Sequence, residues 1–396
     1  QALGLYSGVL ITTASPTTPM SAVMANNATL MAARHHHDTP LWRILRAHRW
    51  PVVVSLLMAG LGCALLFRLS GLHQAESLTA DFVLLVGFGL ILGQLLTQLV
   101  VGVCHGADLS LPASVLISAL TALAILSALP VLYCLGMPGI LAQASLVALL
   151  PGVLLSLWLW RKQREATSTG AMALEQEAGS LALKALPSVA ATVLNNATNW
   201  IACVYLAEKV HGREGLGLVA IGLQWMAVML LPMTSWSGRV MRALAVAHQG
   251  DQMAFWQEVR VQVRKCLLVS VAASTLVACG SVPIAALYKV DAVQLSGLFV
   301  INAVAASLAA VNFVYERVFY CLGQQRPWLW VSAAAYLGQV LLTYALIPYS
   351  IWAVAGGNLF AVLVVLVLVS GYMKRLRAQQ SLQGEAQVQH DQKDGS

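Results

Sequence analysis

The sequence is poor in charged residues and rich in long apolar blocks. Only 10% of its 396 residues are charged, against roughly 25% in a soluble domain. A further 59% are hydrophobic, and they fall in runs long enough to cross a bilayer. This composition excludes a large soluble core and predicts an all-α, polytopic membrane protein, because a spanning segment must satisfy its own backbone hydrogen bonds.

Several kinds of chemical site are also missing. The seven cysteines are scattered without a CxxC pair, which favours packing residues over a metal or redox site. There is no Walker loop, no GxGxxG after a strand and no paired carboxylate motif, so we predict neither an enzyme nor a bound cofactor. The run His35-His36-His37-Asp38 is better explained as a solvated cationic cap than as a metal site, because three consecutive imidazoles do not converge on one helix face.

The apolar blocks define the expected membrane topology. Eleven of them have the required length, at 5–33, 51–68, 82–104, 112–134, 138–160, 186–207, 215–240, 266–287, 294–316, 327–347 and 350–373. If the C-terminus is cytoplasmic, nineteen of the 23 lysines and arginines lie on the cytoplasmic side and four on the other. This bias follows the positive-inside rule. It explains the net charge of +7 without a nucleic acid partner.

A weak internal repeat suggests two halves. A shift of 213 residues places Gly4-Leu5 on Gly217-Leu218 and Pro19 on Pro232. The helix at 186–207 then has no counterpart, so we expect a twelve-helix, two-lobe protein whose first helix lies upstream.

The predicted division follows from this repeat. It has a five-helix lobe at 1–160, a cytoplasmic linker at 161–185, a six-helix lobe at 186–373 and a disordered cytoplasmic tail at 374–396. The segment 250–265 resembles an amphipathic helix on the inner membrane surface.

Polar side chains within the apolar blocks are the candidate site residues, because such groups are costly unless they face protein or water. The candidate substrate-binding residues are Arg34, Arg239, Arg242, Asn195, Asn196, Asn199, Gln224, Asn302 and Asn312. The alternatives are that the amides join helices and that the arginines only anchor the topology. Asn302 and Asn312 lie about 80° apart around one helix at about 100° per residue and can share a polar stripe.

Four further residues are candidates for movement. Pro19 and Pro232 occupy matching positions in the repeat, and a proline in a membrane helix frees a carbonyl and permits a bend. Glu316 and Arg317 lie near the inner end of one helix, where they form either a gate or a local pair.

The residues from Pro187 to Pro232 resemble the start of the second half of the bacterial polysaccharide transporters, the O-antigen and exopolysaccharide flippases. The matching positions include Asn199-Trp200, 214–217 and Gln224-Trp225. Residues 3–8 and 321–358 are similar to other parts of the same family. The resemblance implies the fold of the multidrug/oligosaccharidyl-lipid/polysaccharide exporter superfamily, with two six-helix lobes, a central cavity and alternating access.

The resemblance further implies a function in the bacterial inner membrane. The substrate would be an undecaprenyl-pyrophosphate-linked oligosaccharide, with membrane lipids, a polysaccharide polymerase and glycosyltransferases as partners. Arginines suit the pyrophosphate, and amides suit the sugar. One alternative is a cation-coupled multidrug or small-molecule antiporter, against which the lack of a carboxylate deep within any span weighs. A flippase for the peptidoglycan lipid precursor is a third possibility.

Overall fold

The computed structural model describes residues 21, 24–32, 49–50, 53–54, 57, 60–61, 80–107, 109–162, 171–208, 212–250 and 252–394. In these ranges the chain is helical apart from short turns. The helices from residue 80 onward are α1 (Ala80–Gly106), α2 (Ser110–Lys162), α3 (Ala171–Glu208), α4 (Gly212–Gln249), α5 (Gln252–Cys279), α6 (Ser281–Tyr288), α7 (Ala292–Cys321), α8 (Gln325–Leu346) and α9 (Ala353–Asp394).

The observed helices confirm the predicted all-α membrane fold. Seven stretches of the described chain are long and apolar enough to cross a membrane. The predicted spans 112–134 and 138–160 form the single element α2, which contains Gly136 at φ 63° and ψ −156°. Glycine adopts this conformation readily because it has no Cβ. The two predicted spans are therefore separated by a break at Gly136, which lies between them in the sequence. The predicted span 266–287 is likewise interrupted, because Gly280 separates α5 from α6.

By contact, the described chain forms two compact units. Unit 1 contains residues 1–197, 234–259 and 317–326, and unit 2 contains 198–233, 260–316 and 327–396. These units follow a different division from the predicted lobes, which remain a prediction.

The core of unit 1 lies along one face of α1. Ile91, Leu95, Leu99 and Val103 recur every four residues, and all are buried in one cluster. This spacing places them on one side of a helix. They pack with the final turns of α2 and with the helical segment 24–32. Thr29 reinforces that contact, because its hydroxyl donates a hydrogen bond to the carbonyl of Gly102 at 2.9 Å.

The core of unit 2 is built on α7. Leu295, Leu298, Phe299 and Ala306 lie on its buried face and pack against α4, α6 and the start of α9. A second cluster joins the end of α3 to α4 and to the beginning of α9.

The predicted linker 161–185 includes the end of α2, at Lys162, and the first turns of α3, which begins at Ala171; its cytoplasmic position remains a prediction. Two parts of the chain differ from the sequence-based expectation. The predicted disordered tail continues α9 as a helix to Asp394, because it contains six glutamines besides alanine, leucine and arginine, and all of these are good helix formers. The segment 250–265 belongs mainly to α5, and its Phe255 and Trp256 are buried, so this part of its apolar face packs against protein and not against lipid.

Candidate functional site

An amide pair joins two helices in unit 2. The side-chain nitrogen of Gln339, on α8, donates to the side-chain oxygen of Asn199, on α3, at 2.9 Å. Gln339 is fully buried. Because the desolvation of an amide in a membrane is costly, a hydrogen bond of this kind holds neighbouring helices together. Asn199 therefore takes part in a helix–helix contact, and its role as a sugar ligand stays a prediction.

Asn302 makes a similar contact between α7 and α4. It is 1% exposed, and its side-chain nitrogen donates to the carbonyl of Gly222 at 3.0 Å. Gly222 is a glycine at a close approach, since a Cβ there would lie 3.2 Å from the Asn302 nitrogen and closer still to Leu298. The carbonyl of Gly222 is accessible to Asn302 because glycine has no side chain to cover it.

Asn312 of the same helix contacts a different neighbour. Its side-chain nitrogen donates to the carbonyl of Val362 on α9 at 2.9 Å. Asn302 and Asn312 thus bind two different helices, and both are buried. The structure does not bring them together as the shared polar stripe that the sequence predicts.

The remaining predicted amides are more accessible to solvent than Asn302 and Asn312. Gln224 of α4 is exposed, and Asn195 and Asn196 of α3 are half-buried. These three residues keep their prediction as substrate-binding groups.

Sequence reasoning missed the buried amides Gln339 and Asn358. Gln339 is the donor to Asn199, and Asn358 of α9 donates to the sulfur of Met226 at 3.2 Å. The same signal that selected Asn199 would have found both, because each is an amide within an apolar helix.

A second group of polar residues lies at helix ends in unit 1. The guanidinium of Arg317, at the end of α7, donates to the hydroxyl of Ser237 on α4 at 3.0 Å. Arg317 is 7% exposed, so its charge is largely removed from solvent. The predicted gate residue therefore joins α7 to α4, next to the predicted site residue Arg239.

The residue between Ser237 and Arg239 is a buried glycine. A Cβ at Gly238 would overlap the imidazole of His105 on α1. These two helices thus approach each other closely at a point where only a hydrogen atom fits. Arg239 itself is exposed, and Arg242 is half-buried.

Only some of the other predicted hinge, gate and cationic residues lie in the part of the chain that the structure describes. Helix α4 continues through Pro232 from Gly212 to Gln249, and unit 2 gives way to unit 1 after Met233. Glu316 is half-buried. Pro19 and Arg34, like the run His35-His36-His37-Asp38, lie outside the described residues.

A shallow groove lies between α3 and α8 in unit 2. It has a cavity volume of about 20 Å³ and is lined in part by Thr198, Tyr205, Thr343 and Tyr344. The two tyrosine rings stack with centroids 4.4 Å apart. Pockets for drug-sized ligands enclose roughly 300–1,000 Å³, so this groove is too small to be a substrate site by itself.

Solved structures with the same chain path identify the fold. The chain superposes on a eukaryotic MATE transporter, AtDTX14, with a TM-score of 0.75 and 14% identity, over 94% of this chain and 86% of that one. The chain has the MATE transporter fold. A MOP superfamily transporter from Pyrococcus furiosus matches with a TM-score of 0.71 and 14% identity, over 95% of this chain and 88% of that one.

A third similar structure is a multidrug resistance MATE family transporter of the MOP superfamily in an outward-facing conformation. Its TM-score is 0.68 at 14% identity, over 95% of this chain and 88% of that one. No family model and no curated protein matches the sequence. The likeness thus confirms the superfamily fold that the sequence resemblance implies. It gives no support to the polysaccharide-transporter subfamily.

Proposed function

We propose that this chain is a secondary transporter that exports small or amphipathic organic molecules through a membrane, driven by a cation gradient. The observation that carries the proposal is the superposition on a MATE transporter over 94% of the chain. A fold match this extensive includes nearly every helix, and the substrate then depends on the residues of the site that the fold carries. The neighbours include a multidrug resistance transporter, which favours an organic solute.

Two of the predicted amides have a structural part in this proposal. Asn302 and Asn199 each take part in a hydrogen bond between helices of unit 2, and such bonds hold neighbouring helices together. Pro232 lies within α4, close to the residue at which that helix passes from one compact unit to the other. We propose that α4 bends there during transport, because the proline leaves one backbone carbonyl without its helical donor.

The proposed coupling residue is Glu316. It is half-buried near the end of α7, within a helix apolar enough to cross a membrane. A carboxylate in such a position can bind a proton or a monovalent cation in exchange for substrate. Replacing Glu316 with Gln, which keeps the shape and removes the negative charge, should abolish gradient-driven export while the protein still reaches the membrane.

A second candidate is the flipping of a lipid-linked oligosaccharide. The exposed guanidinium of Arg239 favours it, because arginine forms paired hydrogen bonds with a phosphate. Arg242 follows one turn later and is half-buried. On this proposal, the two arginines attract the pyrophosphate from the cytoplasmic side, while the lipid tail remains in the bilayer.

One experiment separates the two candidates. The gene is deleted from the organism that carries it, and the deletion strain is tested for drug sensitivity, for lipid-linked oligosaccharide and for surface glycan. Raised sensitivity to organic compounds with normal lipids and glycan is the expected result. Accumulated lipid-linked oligosaccharide with lost surface glycan would replace the first proposal by the second. A strain unchanged in all three measurements would contradict both.

A further inference from the structure

Unit 1 gathers helix ends from both halves of the sequence. Besides residues 1–197, it includes 234–259 and 317–326. These two segments contain the ends of α4 and α7, which the distribution of basic residues predicts to be cytoplasmic. The end of α1, at His105, is predicted to lie on the same side of the membrane. Helix ends that are distant in sequence are thus packed together near one predicted membrane surface.

The tightest point in this group is the contact between α1 and α4. Gly238 is buried, and a Cβ at this position would overlap the imidazole of His105. His105 is half-buried. Because a well-packed interior cannot absorb an added methyl group without shifting its neighbours, any residue larger than glycine would push the two helices apart.

A hydrogen bond lies directly beside this contact. Arg317 donates to Ser237 at 3.0 Å, and Ser237 is the residue before Gly238. The bond ties the end of α7 to the same turn of α4. The arginine is nearly excluded from solvent at 7% exposure, so its hydrogen bonds matter to the packed arrangement.

We infer that His105, Gly238 and the Arg317–Ser237 hydrogen bond form a latch that holds the cytoplasmic ends of these helices together in one state of the transport cycle. The latch opens when α4 separates from α1 and α7. The inference rests on the proposed transport function for its purpose, but the contact itself can be tested without a substrate. It assigns Gly238 a mechanical role that its lack of a side chain makes possible.

Cys104 offers a direct reporter of the latch. It precedes His105 on α1 and is 0% exposed. In a full-length variant that keeps Cys104 and has its other cysteines replaced, a membrane-impermeant maleimide reports whether the helix ends have separated. Labelling is measured in inside-out and right-side-out vesicles.

The decisive variant is Gly238→Ala. It should raise the labelling of Cys104 from the cytoplasmic side by at least about five-fold, the factor that corresponds to the lower end of the cost of overpacking. Gly217→Ala is the matched control, because Gly217 lies on the same helix with nothing within 4 Å of its added Cβ. Adding His105→Gly to Gly238→Ala should return the labelling towards the parent level, since it removes both the imidazole and the Cβ of His105, which the new methyl group would otherwise overlap.

A variant without added bulk covers the case in which Gly238→Ala fails to fold. Ser237→Ala removes the acceptor for Arg317 and should raise labelling roughly three-fold, as expected for a membrane hydrogen bond. Parent-level labelling in Ser237→Ala and Gly238→Ala would overturn the latch, as would labelling of Cys104 from the outer side only. If both variants raise the labelling of Cys104 but the deletion strain shows no drug or glycan phenotype, the latch is supported and the proposed function is rejected.

Discussion

The contact between α1 and α2 allows a prediction whose sign can be worked out from the structure. Gly93 faces α2 so closely that an added Cβ would lie 2.6 Å from the backbone carbon of Ala148 and 2.6 Å from the nitrogen of Leu149. These are backbone atoms of a helix, so they cannot rotate away as a side chain can. Gly93→Ala must therefore move one helix relative to the other.

The size of the effect follows from competing terms. Ordinary contact with a Cβ begins at 3.4 Å, so the helices must separate by most of an ångström. Overpacking of this kind costs about 1–3 kcal/mol. The separation also weakens the hydrogen bond from Thr97 to the carbonyl of Ala148, at 2.8 Å, which contributes about 0.6 kcal/mol. Alanine returns up to about 1 kcal/mol through helix propensity, so we expect a net loss of roughly 1–3 kcal/mol.

The matched control is Gly371→Ala in α9. Nothing lies within 4 Å of a Cβ at Gly371, so the propensity term acts alone and the variant should be neutral or more stable by up to about 1 kcal/mol. The assay is the free energy of unfolding in mixed micelles, measured on both variants and the parent. Equal stability of Gly93→Ala and Gly371→Ala would refute the inferred backbone contact.

Two further predictions test the predicted site residues. A double-mutant cycle compares Gln339→Leu, Asn199→Leu and the double variant with the parent. The free energies of unfolding should show a coupling energy of about 0.6 kcal/mol from the 2.9 Å hydrogen bond between the two side chains. A coupling energy of zero would show that this hydrogen bond does not stabilise unit 2. If the flippase candidate is correct, Arg239→Ala should lower glycan export in the complemented deletion strain at unchanged expression, because a phosphate ligand is lost. Arg260→Ala removes another exposed charge and should leave export unchanged, whereas equal export in both variants would remove Arg239 from the site.

The helices were predictable because their signal is local. Each span is a continuous apolar run, and lipid leaves an exposed backbone few alternatives to a helix. The break near Gly136 was predictable for the same reason, since glycine and the nearby Pro138 interrupt the run. The helix in the C-terminal tail was harder to predict, because the composition of a polar segment alone does not distinguish a helix from a disordered chain.

The partners of the polar residues were not predictable in this way. Asn302 and Asn312 have similar surroundings in the sequence, yet one binds Gly222 of α4 and the other Val362 of α9. Which neighbour an amide meets depends on how helices distant in sequence pack. Gly238 is a stronger example, because a glycine within a helix carries no information about the imidazole that lies against it.

By itself, the sequence determined that this protein consists of membrane helices and marked the polar groups within them, because exposing polar atoms to lipid is costly. It also indicated the superfamily to which the fold corresponds. Only the tertiary structure decided that Asn199 binds Gln339, that Arg317 reaches Ser237 and that α1 meets α4 at Gly238. These contacts join residues far apart in the chain, and their geometry is set by the packing of whole helices.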